Sequence, residues 1–146
     1  MKIKNALTVA FCAALFLVLS APAAMAQDRG KDEGLLKVEL TGSLQAGQAG
    51  DLALRMVPAK GYKWNEEYPA KLEVKNGKSV TFAESKLSKV KGQIKADGRV
   101  GVATLKATSK RAGEEQVEFI LSASVCDKET CHVIRKRVVP VLVVTR

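Results

Sequence analysis

The segment VEFILSASV, residues 117–125, decides the fold class of this 146-residue chain. Apolar side chains occupy every second position from Val117 to Val125, so that an extended strand would carry them all on one side. A helix would require a period of 3.6 residues, which this segment lacks. The alternation therefore predicts a β-strand with one face buried in a core.

The same alternation recurs on both sides of this segment, separated by Asn-Gly, Asp-Gly and Ala-Gly pairs that are typical of turns. The alternating or valine-rich segments are residues 36–40, 51–57, 71–75, 79–82 and 137–144. About seven short strands in a domain of this length are typical of an immunoglobulin-like fold. We therefore expect an all-β protein, an antiparallel immunoglobulin-like β-sandwich.

Two features interrupt the pattern. The segment ESKLSKVKGQIK, residues 84–95, has the spacing of a short amphipathic helix, but its lysines and Gly92 favour a long loop between strands. Pro140 stands inside the last valine-rich run. Because proline cannot donate a ladder hydrogen bond, it predicts an edge strand or a bulge there.

The N-terminus has the pattern of a secretory signal peptide. Lys2 and Lys4 precede an apolar run at residues 6–19, and Ala-Met-Ala at 24–26 is a small-x-small cleavage pattern. The apolar run is short for a bilayer-spanning helix, so we expect a periplasmic protein with no stable membrane insertion after cleavage. The expected division is a signal peptide at 1–26, a flexible N-terminal arm at 27–34 and one sandwich domain at 35–146.

The positive charge of the chain indicates no particular ligand. The formal charge is +9, and it falls to +7 without the signal peptide, which carries two lysines and no acidic residue. The lysines are scattered, and only Arg-Lys-Arg at 135–137 forms a cluster. We expect solvated basic faces and no nucleic-acid partner, since an exported protein seldom meets nucleic acid.

The mature chain would keep two cysteines, Cys126 and Cys131, because Cys12 lies in the signal peptide. An even number of cysteines in an oxidising compartment favours a disulfide. The segment CDKETCH also has the Cys-x4-Cys-His form of a variant haem attachment, with His132 and Met56 as axial ligands. A sheet-like chain is a poor match to the helices of small c-type cytochromes, so haem remains a remote alternative.

A metal site would need a fourth ligand beyond Cys126, Cys131 and His132, and no further cysteine or histidine follows the signal peptide. We therefore expect neither a metal nor a cofactor. Two alternatives remain open for the cysteines. They flank a four-residue hairpin loop. A structural disulfide there would close a small ring and stabilise the folded chain by only about 2 kcal/mol. The other alternative is a redox-active pair, accessible to the thiolate of a partner.

Local charge suggests an order of events for such a pair. His132 and the basic cluster follow Cys131, whereas Asp127 follows Cys126. Positive neighbours stabilise a thiolate, so the sequence predicts the lower pKa for Cys131. A donor would then attack Cys126 and release Cys131 as the leaving group.

The motifs GYKWN (61–65), YPAKLEV (68–74) and FILSASVCDKETCHV (119–133) occur in this order ahead of a valine-rich last strand. On these motifs, residues 51–144 resemble the periplasmic N-terminal domain of the thiol:disulfide interchange protein DsbD and the stand-alone disulfide-bond corrector (DsbC-like) domains. The resemblance implies an immunoglobulin-like sandwich that carries a redox pair on a hairpin.

The resemblance also implies a function, namely a thiol–disulfide exchange module or protein-disulfide reductase. A thioredoxin-like or membrane-embedded reductase would reduce Cys126 and Cys131, which would then reduce periplasmic client proteins. Tyr62 and Trp64 fall where the family places aromatic residues near the pair, and ordinary core packing is the alternative for each. The chain departs from the family at residues 83–91, where family members often have an aromatic cap and this sequence has none. The alternative function is a binding domain with a structural disulfide.

Overall fold

The alternating segments form strands in the computed structural model, which describes residues 34–146. The predicted signal peptide and all but the last residue of the predicted arm lie outside these residues. Among residues 34–146, no helix is long and apolar enough to cross a membrane. The strands are β1 (Leu36–Thr41), β2 (Leu44–Gln45), β3 (Ala49–Pro58), β4 (Lys63–Trp64), β5 (Lys71–Lys75), β6 (Val80–Phe82), β7 (Lys86–Ser88), β8 (Ile94–Asp97), β9 (Val100–Ser109), β10 (Gly113–Gln116), β11 (Glu118–Cys126), β12 (Cys131–Val138) and β13 (Val141–Thr145).

These strands form two main sheets and one small sheet. The first sheet has the order β1-β3-β9-β6, with β8 also paired to β9. The second has the order β12-β11-β5-β7, with β4 also paired to β11. All pairs in both sheets are antiparallel. The small sheet, β10-β13-β2, includes one parallel pair, β13 with β2.

The two main sheets face each other across a single core. Phe82 on β6 and Phe119 on β11 meet edge to face across the sheets, with ring centroids 5.8 Å apart. Both sheets contribute their alternate apolar residues to one buried cluster, which includes Leu52, Leu54, Met56, Leu72, Val74, Leu105, Leu121 and Ile134. The prediction of an all-β, immunoglobulin-like antiparallel sandwich is confirmed by this arrangement.

Strand β11 occupies the interior of the second sheet, as the alternation of its sequence predicts. Phe119, Leu121 and Val125 point into the core and are fully buried. Because successive side chains of a strand point to opposite faces, the intervening Ser122, Ser124 and Cys126 lie on the outer face of this sheet. The period of β11 thus places the cysteine outside the hydrophobic core.

The two interrupting features are resolved in different ways. Residues 84–95 form no helix, and instead of one loop they contain β7, a turn and β8, whose Leu87 and Ile94 are buried. Pro140 lies in the break between β12 and β13, where the chain passes from the second sheet to the small one. It therefore stands at a sheet change rather than in an edge strand or bulge. The last valine-rich run forms parts of two strands.

Candidate functional site

Cys126 and Cys131 form a disulfide across the end of the β11–β12 hairpin, where they are direct cross-strand partners. The N–H of Asp127 donates to the carbonyl of Thr130 at 3.0 Å, which makes this flanking pair a hydrogen-bonded one. Pairs alternate along an antiparallel ladder, so the cysteines occupy a non-hydrogen-bonded position. Side chains are closest at such positions, and the two Cα atoms here are 4.0 Å apart.

Asp127 organises the loop that joins the two cysteines. Its Oδ1 accepts hydrogen bonds from the N–H groups of Glu129 at 2.8 Å and Thr130 at 2.7 Å. These two bonds hold the pKa of Asp127 below its usual range against the opposing effect of desolvation, and the charge of His132 and the hydroxyl of Tyr62 lower the pKa further. Asp127 is thus a loop-stabilising residue with its carboxylate turned to the backbone.

The two sulfur-bearing residues differ in exposure. Cys126 is only 8% exposed, because β4 pairs with β11 at this position on one side and β12 does so on the other. Next to it, Asn65 donates its N–H to the carbonyl of Ser124 at 2.9 Å and its Nδ2 to the hydroxyl at 3.3 Å. Cys131 begins β12, an edge strand, and is exposed. The disulfide therefore has one shielded and one accessible end.

His132 lies on the other face of the hairpin from the disulfide. It is the cross-strand partner of the fully buried Val125, so both point toward the core side. There its ring meets the ring of Tyr62, with centroids 5.8 Å apart and planes at 69°. His132 therefore lies on the opposite face from the Cys131 side chain that it was expected to activate. Among the basic residues after Cys131, Arg135 and Arg137 share the outer face, four and six residues along the strand.

Of the residues predicted for the site, Tyr62, His132 and Asp127 come together around the hairpin loop. Trp64 does not join them there: it pairs with Val125 on the opposite side of β11 from β12. The residue is buried, and its ring packs on β9 of the first sheet.

Asn65 and Ser124, which contact each other beside Cys126, were not predicted as site residues from the sequence. Ser124 could have been predicted, because it lies two residues before Cys126 on β11 and therefore on the same face of the strand.

The disulfide occupies both sulfurs that covalent haem attachment would require. Met56, the proposed second axial ligand of haem, is fully buried in β3 between the sheets. Within residues 34–146, no group of three His, Cys, Asp or Glu side chains is arranged to hold a metal ion. Among the described residues, the reactive group at this site is the Cys126–Cys131 disulfide, and disulfides in general can be exchanged by thiolates.

The fold and the site define a β-sandwich with a half-exposed cross-strand disulfide on its outer face. No family model matches the chain, and no curated protein sequence matches it. Among solved structures, it is similar to a cohesin module from the family 33 glycoside hydrolase of Clostridium perfringens ATCC13124, with 16% sequence identity and a TM-score of 0.37. That match covers 77% of this chain and 96% of the cohesin module.

Proposed function

We propose that this chain is a periplasmic thiol–disulfide exchange module that relays electrons through Cys126 and Cys131. The observation that carries the proposal is the unequal exposure of the pair: Cys131 is exposed on an edge strand, and Cys126 is buried behind it. Exchange requires one sulfur that a partner's thiolate can reach. A shielded second sulfur is itself kept from reacting with other thiols until it resolves the mixed disulfide.

The exposure also suggests an order of attack opposite to the one expected from local charge. A donor thiolate attacks Sγ of Cys131, the Cys126–Cys131 bond breaks, and Cys126 leaves as a thiolate. A second thiol of the donor then attacks the donor's own sulfur and releases Cys131, so that the donor is oxidised and the pair reduced by two electrons. Accessibility outweighs leaving-group pKa here, because a sulfur that cannot be approached in line cannot be attacked.

Reduction of a client reverses these roles. The thiolate of Cys131 attacks the client disulfide and forms a mixed disulfide, releasing one client thiolate. Cys126 then attacks Sγ of Cys131, which restores the intramolecular bond and releases the second client sulfur. The donor required is a thioredoxin-like or membrane-embedded dithiol reductase, and the acceptors are periplasmic proteins with accessible disulfides.

The reduction potential of the pair tests this proposal. Equilibration of the purified mature chain with glutathione or dithiothreitol buffers, followed by mass spectrometry of alkylated cysteines, measures it directly. A relay requires a potential within the range of thioredoxin-like proteins, about −270 to −120 mV. A potential below about −300 mV is typical of structural disulfides and would exclude the relay.

A second candidate function is a binding domain with a structural disulfide. It is favoured by the position of His132, which faces Tyr62 on the core side and leaves the outer face without an imidazole beside the sulfurs. In this function the disulfide would only connect β11 to β12 at the end of the hairpin and stabilise that end of the second sheet. The same measurement of potential distinguishes the two functions.

A further inference from the structure

Within residues 34–146, one edge of β12 is unpaired, and this edge starts at the exposed Cys131. Strand β12 is the last strand of the second sheet, and within residues 34–146 it pairs only with β11. The hydrogen-bonded position at Asp127 and Thr130 sets the alternation along this hairpin. It follows that His132, Ile134 and Lys136 direct their backbone groups toward β11. The backbone groups of Cys131, Val133, Arg135 and Arg137 are directed outward.

The residues with outward backbone groups also carry the exposed side chains of β12. Cys131, Arg135 and Arg137 are exposed, and Val133 is 47% exposed, large for an aliphatic side chain. All four project on the outer face of the sheet, in a row that begins at the disulfide. An unpaired strand edge of this kind is a template for an added strand.

We propose that β12 recognises redox partners by strand addition: an extended, acidic segment that contains a cysteine pairs antiparallel with Cys131–Arg137. This inference rests on the proposed exchange function and names the partner's chemistry. Cys131 would form a hydrogen-bonded pair with the added strand, in which Cα atoms lie about 5.5 Å apart. That separation is within the range of roughly 4.4–6.8 Å found for disulfides. Pairing would thus hold a partner cysteine opposite Cys131 at bonding distance.

The charge of Arg135 favours an acidic segment over the other possible occupants of this strand edge. Arg135 is exposed and makes no ion pair with any residue from 34 to 146, whereas Arg137 is paired with Glu118. Acidic residues opposite Arg135 would find an unshared guanidinium. The segment Cys131–Arg137 contains no acidic residue, so a second copy of this chain added antiparallel over the same residues would place Val133, and no carboxylate, opposite Arg135.

Synthetic peptides provide the probe, with the mature chain as the protein. One peptide carries a central cysteine flanked by alternating glutamates and threonines. A second has lysine in place of glutamate, and a third is N-methylated on the amides that would face β12. We expect the acidic peptide to react with the disulfide at least about fivefold faster than either control. A fivefold change in rate corresponds to the loss of about one backbone hydrogen bond or one charge contact. Equal rates for all three peptides would overturn the proposal.

Substitutions in β12 test whether the faster reaction of the acidic peptide depends on this strand. Val133→Pro removes an outward N–H without removing a hydrogen bond to β11, and we expect it to slow the acidic peptide about fivefold while the rate with dithiothreitol is unchanged. Val133→Thr keeps the N–H and serves as the matched control. Arg135→Glu should reverse the preference between the acidic and basic peptides, whereas Lys106→Glu, on the first sheet, should not. Unaltered peptide rates in both Val133→Pro and Arg135→Glu would refute strand addition.

Binding without chemistry separates this inference from the exchange function. A serine version of the acidic peptide should shift the amide resonances of Val133 and Arg135 in the oxidised chain, even if the disulfide proves too stable to exchange. Absence of such shifts, with rapid exchange by dithiothreitol, would overturn strand addition and leave the exchange function standing. A concentration-dependent dimer that Val133→Pro abolishes would identify a second copy as the occupant and would contradict the acidic partner.

Discussion

The indole ring of Trp64 occupies the space in front of Gly101. A Cβ atom built at residue 101 would lie 2.7 Å from Cδ2 of Trp64, closer than real Cβ contacts allow. Trp64 lies on β4, which is paired to β11 beside Cys126, and Gly101 lies on β9 of the facing sheet. The absence of a side chain at Gly101 therefore lets the strand next to the disulfide close onto the other sheet.

Gly101→Ala should destabilise the sandwich, because the added methyl group overlaps a buried ring. We expect the free energy of unfolding to fall by about 1–3 kcal/mol, as for other overpacked cores. Urea denaturation measures the change. Thr104→Ala, at an exposed position of the same strand, should cost less than about 1 kcal/mol. If the overlap is the cause, Trp64→Leu should be less harmful in the Gly101→Ala background than in the wild-type chain.

Reduction of Cys126–Cys131 should lower stability only modestly. The bond closes a ring of six residues, and the loss of that restraint in the unfolded chain corresponds to about 2 kcal/mol. We expect the reduced chain, and the variant with both cysteines replaced by alanine, to keep the β-sandwich circular dichroism spectrum and unfold at lower urea concentrations. Global unfolding on reduction at 25 °C would show that the bond is essential to the fold and would argue against its cycling.

Single cysteine variants should trap partners unequally. Cys126→Ala leaves the exposed Cys131 as a free thiol without its resolving partner, so mixed disulfides should accumulate on it in the cell. Cys131→Ala leaves only the buried Cys126 and should trap fewer partners. Non-reducing electrophoresis and mass spectrometry of the captured species measure the ratio. More capture by Cys131→Ala than by Cys126→Ala would restore the order expected from local charge.

Asp127→Ala should loosen the loop between the cysteines. Two backbone N–H groups would lose the carboxylate that accepts their hydrogen bonds, at 2.8 and 2.7 Å. We expect a loss of about 1–2 kcal/mol in the free energy of unfolding. Asp127→Asn retains a side-chain oxygen acceptor and should retain most of the stability. Equal effects of the two substitutions would mean that the charge, and not the acceptor, stabilises the loop.

Acid should destabilise the second sheet through Glu118. Hydrogen bonds from Arg137 and Lys75 lower the pKa of Glu118 from 4.5 to about 2, against the effect of desolvation. A carboxylate with a lowered pKa in the folded state stabilises the fold above its unfolded pKa. Its contribution should therefore be lost as the pH falls from about 4.5 to about 2.

Urea denaturation as a function of pH tests this assignment. In Glu118→Gln, the free energy of unfolding should fall less steeply between pH 4.5 and 2 than in the wild-type chain. Glu114→Gln, at an exposed position of β10, should keep the wild-type steepness. An identical slope in wild type and Glu118→Gln would assign the acid sensitivity to other carboxylates.

Much of the site can be predicted from the sequence because β-strand alternation is a local property. The period of residues 117–125 is sufficient to place Phe119 and Leu121 in the core, and carrying that period on to Cys126 places the cysteine on the outer face. The four residues between the cysteines predict a hairpin end. Both inferences need only the geometry of an extended chain, in which neighbouring side chains point to opposite faces.

The environment of each sulfur is decided by strands that are distant in sequence. Cys126 is shielded because β4 pairs beside it, and Cys131 is exposed because β12 has no second neighbour within residues 34–146. Nothing in the residues adjacent to either cysteine encodes this difference. Local charge predicts the opposite order of attack from the one proposed from exposure, and it counts His132 as a neighbour of Cys131 although the strand turns the two side chains apart.

The sequence by itself determined the fold class, the alternation of the strands and the position of the two cysteines at a hairpin end, since each depends on contacts between near neighbours in the chain. The tertiary structure alone decided that Cys131 is more exposed than Cys126 and that β12 has no second neighbour within residues 34–146. Those properties depend on the order of strands in the sheets, which is set by long-range packing of two apolar faces. Because many different strand sequences can supply such a face, the sequence of one strand does not identify its neighbours.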